Sequence, residues 1–398
     1  MYLSHLKLND FRNFKRLDLP LGRGLSLFYG ENAQGKTNLL EAIAMLATSN
    51  SFHATSDREV INWNAPDRIA RIVAEVERRE DQTKIEIVMM DAKNGVATAF
   101  VKDGIKDGMN GVPAGASRKR IKINGGQKKA VDLIGQVTVV LFAPTDLRLV
   151  DGSPEDRRRF LDRALCQTQP HYCVALTKYR KVITQRSALL KRIRDNQEDP
   201  RMLDFLDEKL TEWANLIIYE RRCMVDALNQ HVDQLQTNIS GGREGLRIVY
   251  RPSFVVDAAW GTIESLEQYR RQLGEARRKE IQQGVCLLGP HRDDLEFLVN
   301  DVDMLIYGSR GQQRTAALSA KFGELAFMRA ATGEEPILLL DDVFSELDVA
   351  RREYLLNQAL QHEQTLITST DYSSFSEEVL AKAHRYQIVA GEIGHTHF

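Results

Sequence analysis

Gly30-Glu31-Asn32-Ala33-Gln34-Gly35-Lys36-Thr37 fits the phosphate-binding pattern G-x-x-x-x-G-K-[ST] without a gap. Its glycines let backbone N–H groups converge on phosphate oxygens, Lys36 brings a point charge, and the Thr37 hydroxyl can ligate Mg2+. Such a loop needs a strand before it and a helix after it. Leu25-Ser26-Leu27-Phe28-Tyr29 supplies the strand, and Leu39, Leu40, Ile43 and Leu46 recur at helical spacing behind it. About 300 residues further on, Ile337-Leu338-Leu339-Leu340-Asp341-Asp342 reads as a buried strand ending in two carboxylates. Two adjacent acids there are costly without a cation. The pair therefore points to Asp341 holding Mg2+ through water and Asp342 orienting or deprotonating an attacking water. Solvated acids at a plain strand end are the bland alternative, and the phosphate loop weighs against it.

The distance between the two motifs is informative too. A compact nucleotide-binding domain needs about 100–200 residues, so the chain of 398 residues has room for an insertion. A hydrophobic share of 43% and a charged share of 27% are those of an ordinary globular protein. The first residues lack the pattern of a signal peptide, and no apolar run reaches the roughly 20 residues that span a bilayer. A cytoplasmic, nucleoid-associated protein with no membrane partner is expected. Cys166, Cys173, Cys223 and Cys286 form no C-x-x-C pair, so neither zinc nor a disulfide framework is expected. Cys166 and Cys173 lie in a helical segment and are expected to share a buried face. The net charge of −1 decides nothing about nucleic acid, since local patches can outweigh an average.

Along the chain, Leu6 and Leu8 alternate in a first strand, and short alternating strands run from about Ile69 to Leu141, with a hairpin turn at Asn124-Gly125-Gly126. Residues 102–117 are Gly-rich and aperiodic and read as an exposed loop. Val137 to Phe142 is β-branched and reads as a buried strand. Two long amphipathic helices follow. Tyr172, Leu176, Tyr179, Ile183, Leu190 and Ile193 mark the first, and Leu203 through Leu235 the second. Asn196-Gln197-Glu198-Asp199-Pro200 separates them, which makes an antiparallel helical hairpin. A third helix, about Glu264 to Gln283, stops at Gly284.

Tyr307-Gly308-Ser309-Arg310-Gly311-Gln312-Gln313-Arg314 opens a further helix. Ser, Gly and Gln at a helix N-terminus form an anion site. The stretch resembles the ABC-type signature Leu-Ser-Gly-Gly-Gln, with Ser309, Gly311 and Gln312 at its Ser, second Gly and Gln and Arg310 between them. It precedes the double-Asp strand by about 30 residues, in the order that superfamily uses. Ser345-Glu346-Leu347-Asp348 resembles the D-loop, with Asp348 at its acid. Four more blocks narrow the likeness: Leu8 to Phe14, Gly152 to Asp162, Gly289 to Leu295, and Asp341 to Asp348 are similar to RecF-family DNA repair ATPases, in the family's order along the whole chain.

That resemblance implies an α/β fold: an ABC-type P-loop ATPase head, mixed sheet plus antiparallel β subdomain, with a helical second lobe. The head is expected at 1–162 and 284–398, the inserted lobe at 163–283. It implies an ATP-dependent DNA-binding protein of recombinational repair and replication restart, binding double-stranded and gapped DNA, with RecR- and RecO-type mediators as partners. ATP on Lys36, Thr37 and Asp341 of one copy would be capped by Ser309 and Gly311 of another. This ATP-induced homodimer would clamp duplex DNA at gaps and help to load a recombinase, and hydrolysis through Asp342 would release it. There are departures. Where transporter-type members place a switch His, Leu366 to Asp371 offers Thr370, and Asp342 stands where Glu is usual. Both suggest slow turnover, and the resemblance implies a weak, DNA-stimulated, Mg-dependent ATPase.

For DNA, Arg118, Lys119, Arg120 and Lys122 precede the Asn124 turn, and Lys128 and Lys129 follow it. On the first long helix Lys178, Arg180, Lys181, Arg186, Lys191, Arg192 and Arg194 occur with no acid between them. Solvated helix faces are the bland reading of such runs. Few aromatics accompany them, which favours phosphate contact to duplex over stacking on single strands. His291 beside Asp293 and Asp294 raises a metal-nuclease reading, against which stands a structural role bracing the strand Leu295 to Val299. A transporter subunit would need a membrane partner, and an SMC-like chromosome-organising ATPase would need longer helices.

Overall fold

The computed structural model describes residues 1–91, 117–255, 261–372 and 375–395. They divide into two compact units, Met1–Pro144 with Met328–Phe398, and Thr145–Phe327.

In the first unit the sequence builds two six-stranded sheets. One is antiparallel, in the order Phe14–Pro20, Tyr2–Phe11, Ile69–Glu77, Gln82–Asp91, Ser117–Ile123 and Gly126–Lys128. Its last hairpin turns at Asn124 and Gly125, both at positive φ (51° and 81°), the backbone a type I′ turn requires. The loop expected at 102–117 lies, apart from Ser117, outside the described residues.

The other sheet runs Glu392–His395, Ala383–Val389, Gly24–Tyr29, Gln364–Ser369, Ile337–Asp341, Val139–Phe142. All its pairings are parallel except the last hairpin, Ala383–Val389 with Glu392–His395. Parallel strands are buried on both faces and read as continuous apolar runs. Ile337–Asp341 fits, with every residue buried. The helix Lys36–Thr48 shares one core cluster with residues of both sheets, including Leu6, Ile72, Leu339 and Leu366. That position explains why its apolar residues extend all round it.

The second unit holds a three-stranded antiparallel sheet, Val302–Asp303, Asp294–Val299 and Leu246–Arg251, and the long helices. Pro170–Arg194 and Leu203–Asn229 pack antiparallel: His171 pairs with Glu220 and Arg186 with Asp207, so the numbers rise on one helix as they fall on the other. The unit is wider than the lobe expected at 163–283. Helix Pro154–Thr168 packs on both hairpin helices, and Asp294–Val299 pairs with Leu246–Arg251, so both segments fall in with the hairpin.

Three details correct the sequence reading. The helix expected to run from Leu203 through Leu235 is two helices, Leu203–Asn229 and Val232–Ser240. His231 leaves helical geometry (φ −120°), and the Gln230 and His231 N–H groups bond carbonyls three residues back. The stripe that reads as one helix continues from Leu228 through His231 and Leu235, but His231 is exposed and Val232 is the buried residue beyond the bend. Cys166 and Cys173 lie on two helices rather than one, because the chain leaves the first at Gln169 and starts the next at Pro170, whose missing N–H suits a first turn, yet their thiols meet across the break. Arg186, counted among the DNA-facing cations, is fully buried. It is bonded to Asp207 at 2.6 Å and to Glu280 at 2.7 Å, so it cross-links three helices rather than meeting solvent.

The Gly289 to Asp294 block is also structural in its contacts. His291 takes a hydrogen bond at Nδ1 from the Tyr179 hydroxyl (2.6 Å) and faces the Cys286 carbonyl through Nε2 (3.2 Å). Burial pushes its pKa down to about 4, so the ring is neutral at physiological pH. Asp293 accepts from Ser253 N–H and the Tyr250 hydroxyl, and Asp294 makes a two-point pair with Arg157 (2.6 and 2.9 Å). These contacts tie the strand Asp294–Val299 to its neighbours, as the bracing reading has it.

Candidate nucleotide site

Strand order creates the site. Gly24–Tyr29 feeds the phosphate loop, Ile337–Asp341 ends in the two acids, and Gln364–Ser369 lies between them. Sheets of this kind bind ligands beyond the carboxyl ends of their parallel strands. Here that edge gathers Lys36, Thr37, Asp341 and Asp342 from segments about 300 residues apart.

The loop backbone is set by close approach. Gly30 (φ 156°) passes so near the chain that a Cβ would stand 2.3 Å from the Ile388 carbonyl oxygen. At Gly35 (φ 115°) a Cβ would meet the Asn13 amide at 2.5 Å. Glu31, Asn32 and Ala33, the last at φ 64°, form the exposed crest between them. Gln34 anchors its far side. Its carbonyl accepts from Asn13 Nδ2 (2.7 Å) and Gly391 N–H (3.0 Å), and its side chain accepts from Ala390 N–H (2.6 Å).

Asn13 also accepts from Asn38 Nδ2 at 2.9 Å, so it bridges the loop to the helix behind it. Its neighbour Arg12 (φ 52°) forks onto the fully buried Glu41 through two 2.7 Å bonds. The likeness of the Leu8 to Phe14 block gives these two residues no task. Two polar residues among apolar ones, between two strands, were the signal.

Lys36 is 7% exposed, and its ammonium donates to the carbonyls of Gly30 (2.6 Å) and Glu31 (2.7 Å). It stands inside the curl of the loop, where a phosphate's charge would be met. Burial lowers its pKa, and the nearby Asp342 and Asp341 carboxylates oppose that shift. Thr37 Oγ1 donates to Asp341 Oδ1 at 2.9 Å, and Thr368 Oγ1 donates to the same oxygen at 2.7 Å. Asp341, 5% exposed, is thus fixed by one hydroxyl from the loop and one from the intervening strand.

Asp342 takes the left-handed region (φ 49°), uncommon for a residue with a side chain. Its N–H bonds Thr368, to the carbonyl at 3.2 Å and the hydroxyl at 3.1 Å. Burial raises its pKa, Lys36 works against that rise, and Asp341 and Glu346 add to it.

Thr368 is the residue that the sequence did not single out. Thr370, at the switch position, is exposed, whereas Thr368 sits opposite Asp341 in the parallel register and is buried. Outer hydrogen bonds of this kind orient metal ligands, and their loss costs about 10–100-fold in affinity. Thr368→Val keeps the shape and removes the bond. Were Mg2+ and ATP held at Thr37 and Asp341 as the sequence reading expects, the Mg2+ concentration that half-saturates ATP turnover would rise by about that factor, read in a magnesium titration; an unchanged midpoint would contradict the role given to Thr368.

The signature residues lie in the second unit. Ser309 and Gln312 cap the helix Arg310–Thr332 reciprocally: Ser309 N–H donates to Gln312 Oε1 (3.0 Å) and Gln312 N–H to Ser309 Oγ (3.3 Å). Ser309 and Arg310 are exposed, and Gly311 is half-buried at the helix start. Asp348 caps the helix Val349–Ala359 through Arg351 N–H (3.0 Å) and pairs with the Arg351 side chain.

The candidate DNA cations divide. Lys119 is half-buried against Asp57 (2.7 Å), and Lys122 pairs with Glu86 (3.4 Å). Arg120 is half-buried on the same strand, and the Arg118 side chain lies outside the described residues. Lys178 and Lys181 are exposed on Pro170–Arg194, Lys178 lying over the Trp213 ring at 4.3 Å.

This sheet, with a phosphate loop and a double-Asp strand one strand apart, defines an ABC-type P-loop ATPase head. The model of the RecF/RecN/SMC N terminal domain matches residues 2–391. A DNA replication and repair protein RecF from Chloroflexus aurantiacus is 42% identical over 405 residues, covering 99% of both chains. The RecF of Halalkalibacterium halodurans is 38% identical over 395 residues, again with 99% of each covered. Among solved structures, the recombination mediator protein RecF-ATPrS in the RecFOR pathway superposes with a TM-score of 0.85 at 31% identity, covering 100% of this chain and 98% of that one. An Smc head domain from Pyrococcus furiosus, at a TM-score of 0.52 and 15% identity, shares the fold alone. The chain belongs to the RecF family. No helix among the described residues is long and apolar enough to cross a membrane.

Proposed function

We propose that the protein is a Mg2+-dependent ATPase of recombinational DNA repair that closes as an ATP-bound homodimer on duplex DNA and opens on slow hydrolysis. One observation carries the reading: Thr37 and Asp341 oxygens 2.9 Å apart, beside the Lys36 ammonium and the Asp342 carboxyl. Two hard oxygen donors fit Mg2+, which takes one or two protein ligands and completes its shell with phosphate and water. Bound by Thr37 and Asp341, the ion would supply charge neutralisation to the β- and γ-phosphates. The chain's own residues do the rest. The loop N–H groups and Lys36 hold the phosphates, Thr368 fixes Asp341, and Asp342 takes the proton of the attacking water.

The phosphate loop belongs to one unit and the Ser309 helix start to the other. In the proposed dimer Ser309, Arg310, Gly311 and Gln312 of one copy face the γ-phosphate held by its partner, with Asp348 near the same junction. An interface shared through a two-fold axis gives two such sites. Lys178, Lys181 and the strand bearing Arg118, Lys119, Arg120 and Lys122 would contact DNA phosphates, and affinity should fall steeply with salt. Gapped DNA and mediators of the RecO and RecR type are the proposed partners, in keeping with the pathway named for the solved relative. A helix of 25 residues extends about 38 Å, too short a hairpin for a chromosome-bridging arm.

Light scattering of the full chain with and without ATP and duplex DNA tests the clamp. The wild type should double in mass with ATP. Ser309→Ala should bind ATP as before, yet need at least about tenfold more protein to dimerise, the cost of one hydrogen bond to a charged phosphate. Unchanged ATP-dependent dimers in that variant would contradict the arrangement.

A further inference from the structure

The signature helix is held from outside by a loop that no sequence motif marks. Glu244 stands in the turn between the helix Val232–Ser240 and the strand Leu246–Arg251. One of its carboxylate oxygens accepts from Gln312 Nε2 at 3.0 Å. The other accepts from Gln236 Nε2 at 2.9 Å, and Gln236 Oε1 in turn accepts from Ser319 Oγ at 2.9 Å. Gln236 and Ser319 are fully buried.

Ser319 follows Gln312 by seven residues, two turns of the same helix, so the two grips fall on one face. One turn later comes Gly323, where a Cβ would stand 2.9 Å from Val232 Cγ1. The helix Val232–Ser240 therefore runs antiparallel along the signature helix and meets it at two places, Val232 at Gly323 and Gln236 at Ser319, while Glu244 in the turn after it makes the third contact at Gln312.

The grip on Gln312 has a chemical consequence. Gln312 Oε1 is the acceptor for Ser309 N–H, and its amide can present that oxygen only while its NH2 group has somewhere to donate. Glu244 supplies that acceptor. The Glu244 backbone is itself fixed, since its N–H donates to Ser240 Oγ (3.1 Å) and its carbonyl accepts from Thr237 Oγ1 (3.2 Å).

We propose that Glu244 is a positioning residue for the signature: by bridging Gln312 to Gln236 and Ser319, it sets the orientation of the Gln312 amide and so of the Ser309 helix start. The proposal deepens the dimer reading above and rests on it for its effect on assembly, but not for its effect on the free chain.

Three variants test it. Glu244→Ala removes both acceptors. Glu244→Gln offers one oxygen to Gln312 and one NH2 to Gln236; Gln236 can flip to accept it, because the Ser319 hydroxyl can accept as well as donate. Glu244→Asp keeps the charge but is one methylene too short to reach both amides, and gives a second reading if the alanine variant is unstable.

The first measurement is hydrogen exchange of the Ser309 amide in the full chain without nucleotide. Exchange should accelerate about tenfold in Glu244→Ala and less in Glu244→Asp, and stay near wild type in Glu244→Gln. The second is ATP-dependent dimerisation by light scattering, where Glu244→Ala should need about tenfold more protein, with ATP affinity of the monomer unchanged and Glu244→Gln restoring assembly. Unaltered Ser309 exchange in both Glu244→Ala and Glu244→Asp overturns the proposal. So does an alanine-like defect in Glu244→Gln, because a flipped Gln236 would then not serve. If exchange responds as expected while Ser309→Ala dimerises normally, the positioning role stands and the dimer reading falls.

Discussion

Lys36→Ala should abolish ATP-dependent dimerisation at any accessible protein concentration and lower ATP turnover by about 10²–10³-fold, the usual cost of removing one charged donor aimed at a reacting phosphate. The size follows from where the ammonium sits. It is enclosed by the loop, bonded to two of the loop's own carbonyls, and 7% exposed, so water cannot replace it without reorganising the loop. Burial holds its pKa below that of a free lysine, while Asp342 and Asp341 keep it charged. The anionic phosphates of ATP would add to their effect.

Lys36→Arg separates charge from shape. A planar guanidinium keeps the charge but spreads it over a fork that the Gly30 to Thr37 curl cannot enclose as it does a compact ammonium. It should recover part of the nucleotide affinity and little of the turnover. Isothermal titration with ATP, beside a steady-state rate, distinguishes the two losses. Near-normal turnover in either variant would remove Lys36 from the machinery.

How much of this was legible beforehand depends on whether the residues are contiguous. The phosphate loop, the double-Asp strand and the Ser309 helix start are each one short segment, and each lies in the element its pattern called for. The RecF likeness rested on such blocks, and the comparisons bear it out. Thr368 and Asn13 escaped notice because their partners are strand neighbours or loop contacts far off in sequence. Thr368 differs from Thr365 and Thr370 only in facing Asp341, and nothing in Leu366 to Asp371 says which strand lies alongside.

Arg186 is a different failure, since the signal was present. It lies three residues after Ile183 and four before Leu190, inside the apolar stripe already drawn through Tyr179, Ile183 and Leu190. Counting it among the solvent-facing cations followed charge and ignored periodicity. A buried arginine needs acids on facing helices, and Asp207 and Glu280 supply them. Lys178 and Lys181, off that stripe, are exposed as a solvent-facing surface requires. Glu244 could not be read at all, because its partners Gln236 and Gln312, and the Ser319 that Gln236 holds, meet only once two helices lie side by side.

Asp342→Asn should separate binding from hydrolysis. Asparagine matches aspartate in size and tolerates left-handed backbone better than most residues, so the φ of 49° and the N–H bond to Thr368 survive the change. What is lost is the ability to take a proton. ATP affinity should stay within a few-fold of wild type, turnover should fall by about 10²–10³-fold, and the ATP-bound dimer on duplex DNA should persist for correspondingly longer.

The pH profile gives an independent reading. Burial raises the Asp342 pKa above the ordinary carboxylate value, with Asp341 and Glu346 adding to the rise and Lys36 opposing it. A base works only when ionised, so wild-type turnover should be full above this raised value and lost as pH falls through it. That acid limb should therefore lie at higher pH than a free aspartate would place it, and it should vanish from the residual rate of the Asn variant. Replacing Lys36, whose charge opposes the rise, should move the limb further up. A wild-type rate in Asp342→Asn, or the same acid limb in both proteins, would assign the proton to another group and leave Asp342 as a structural end to the strand.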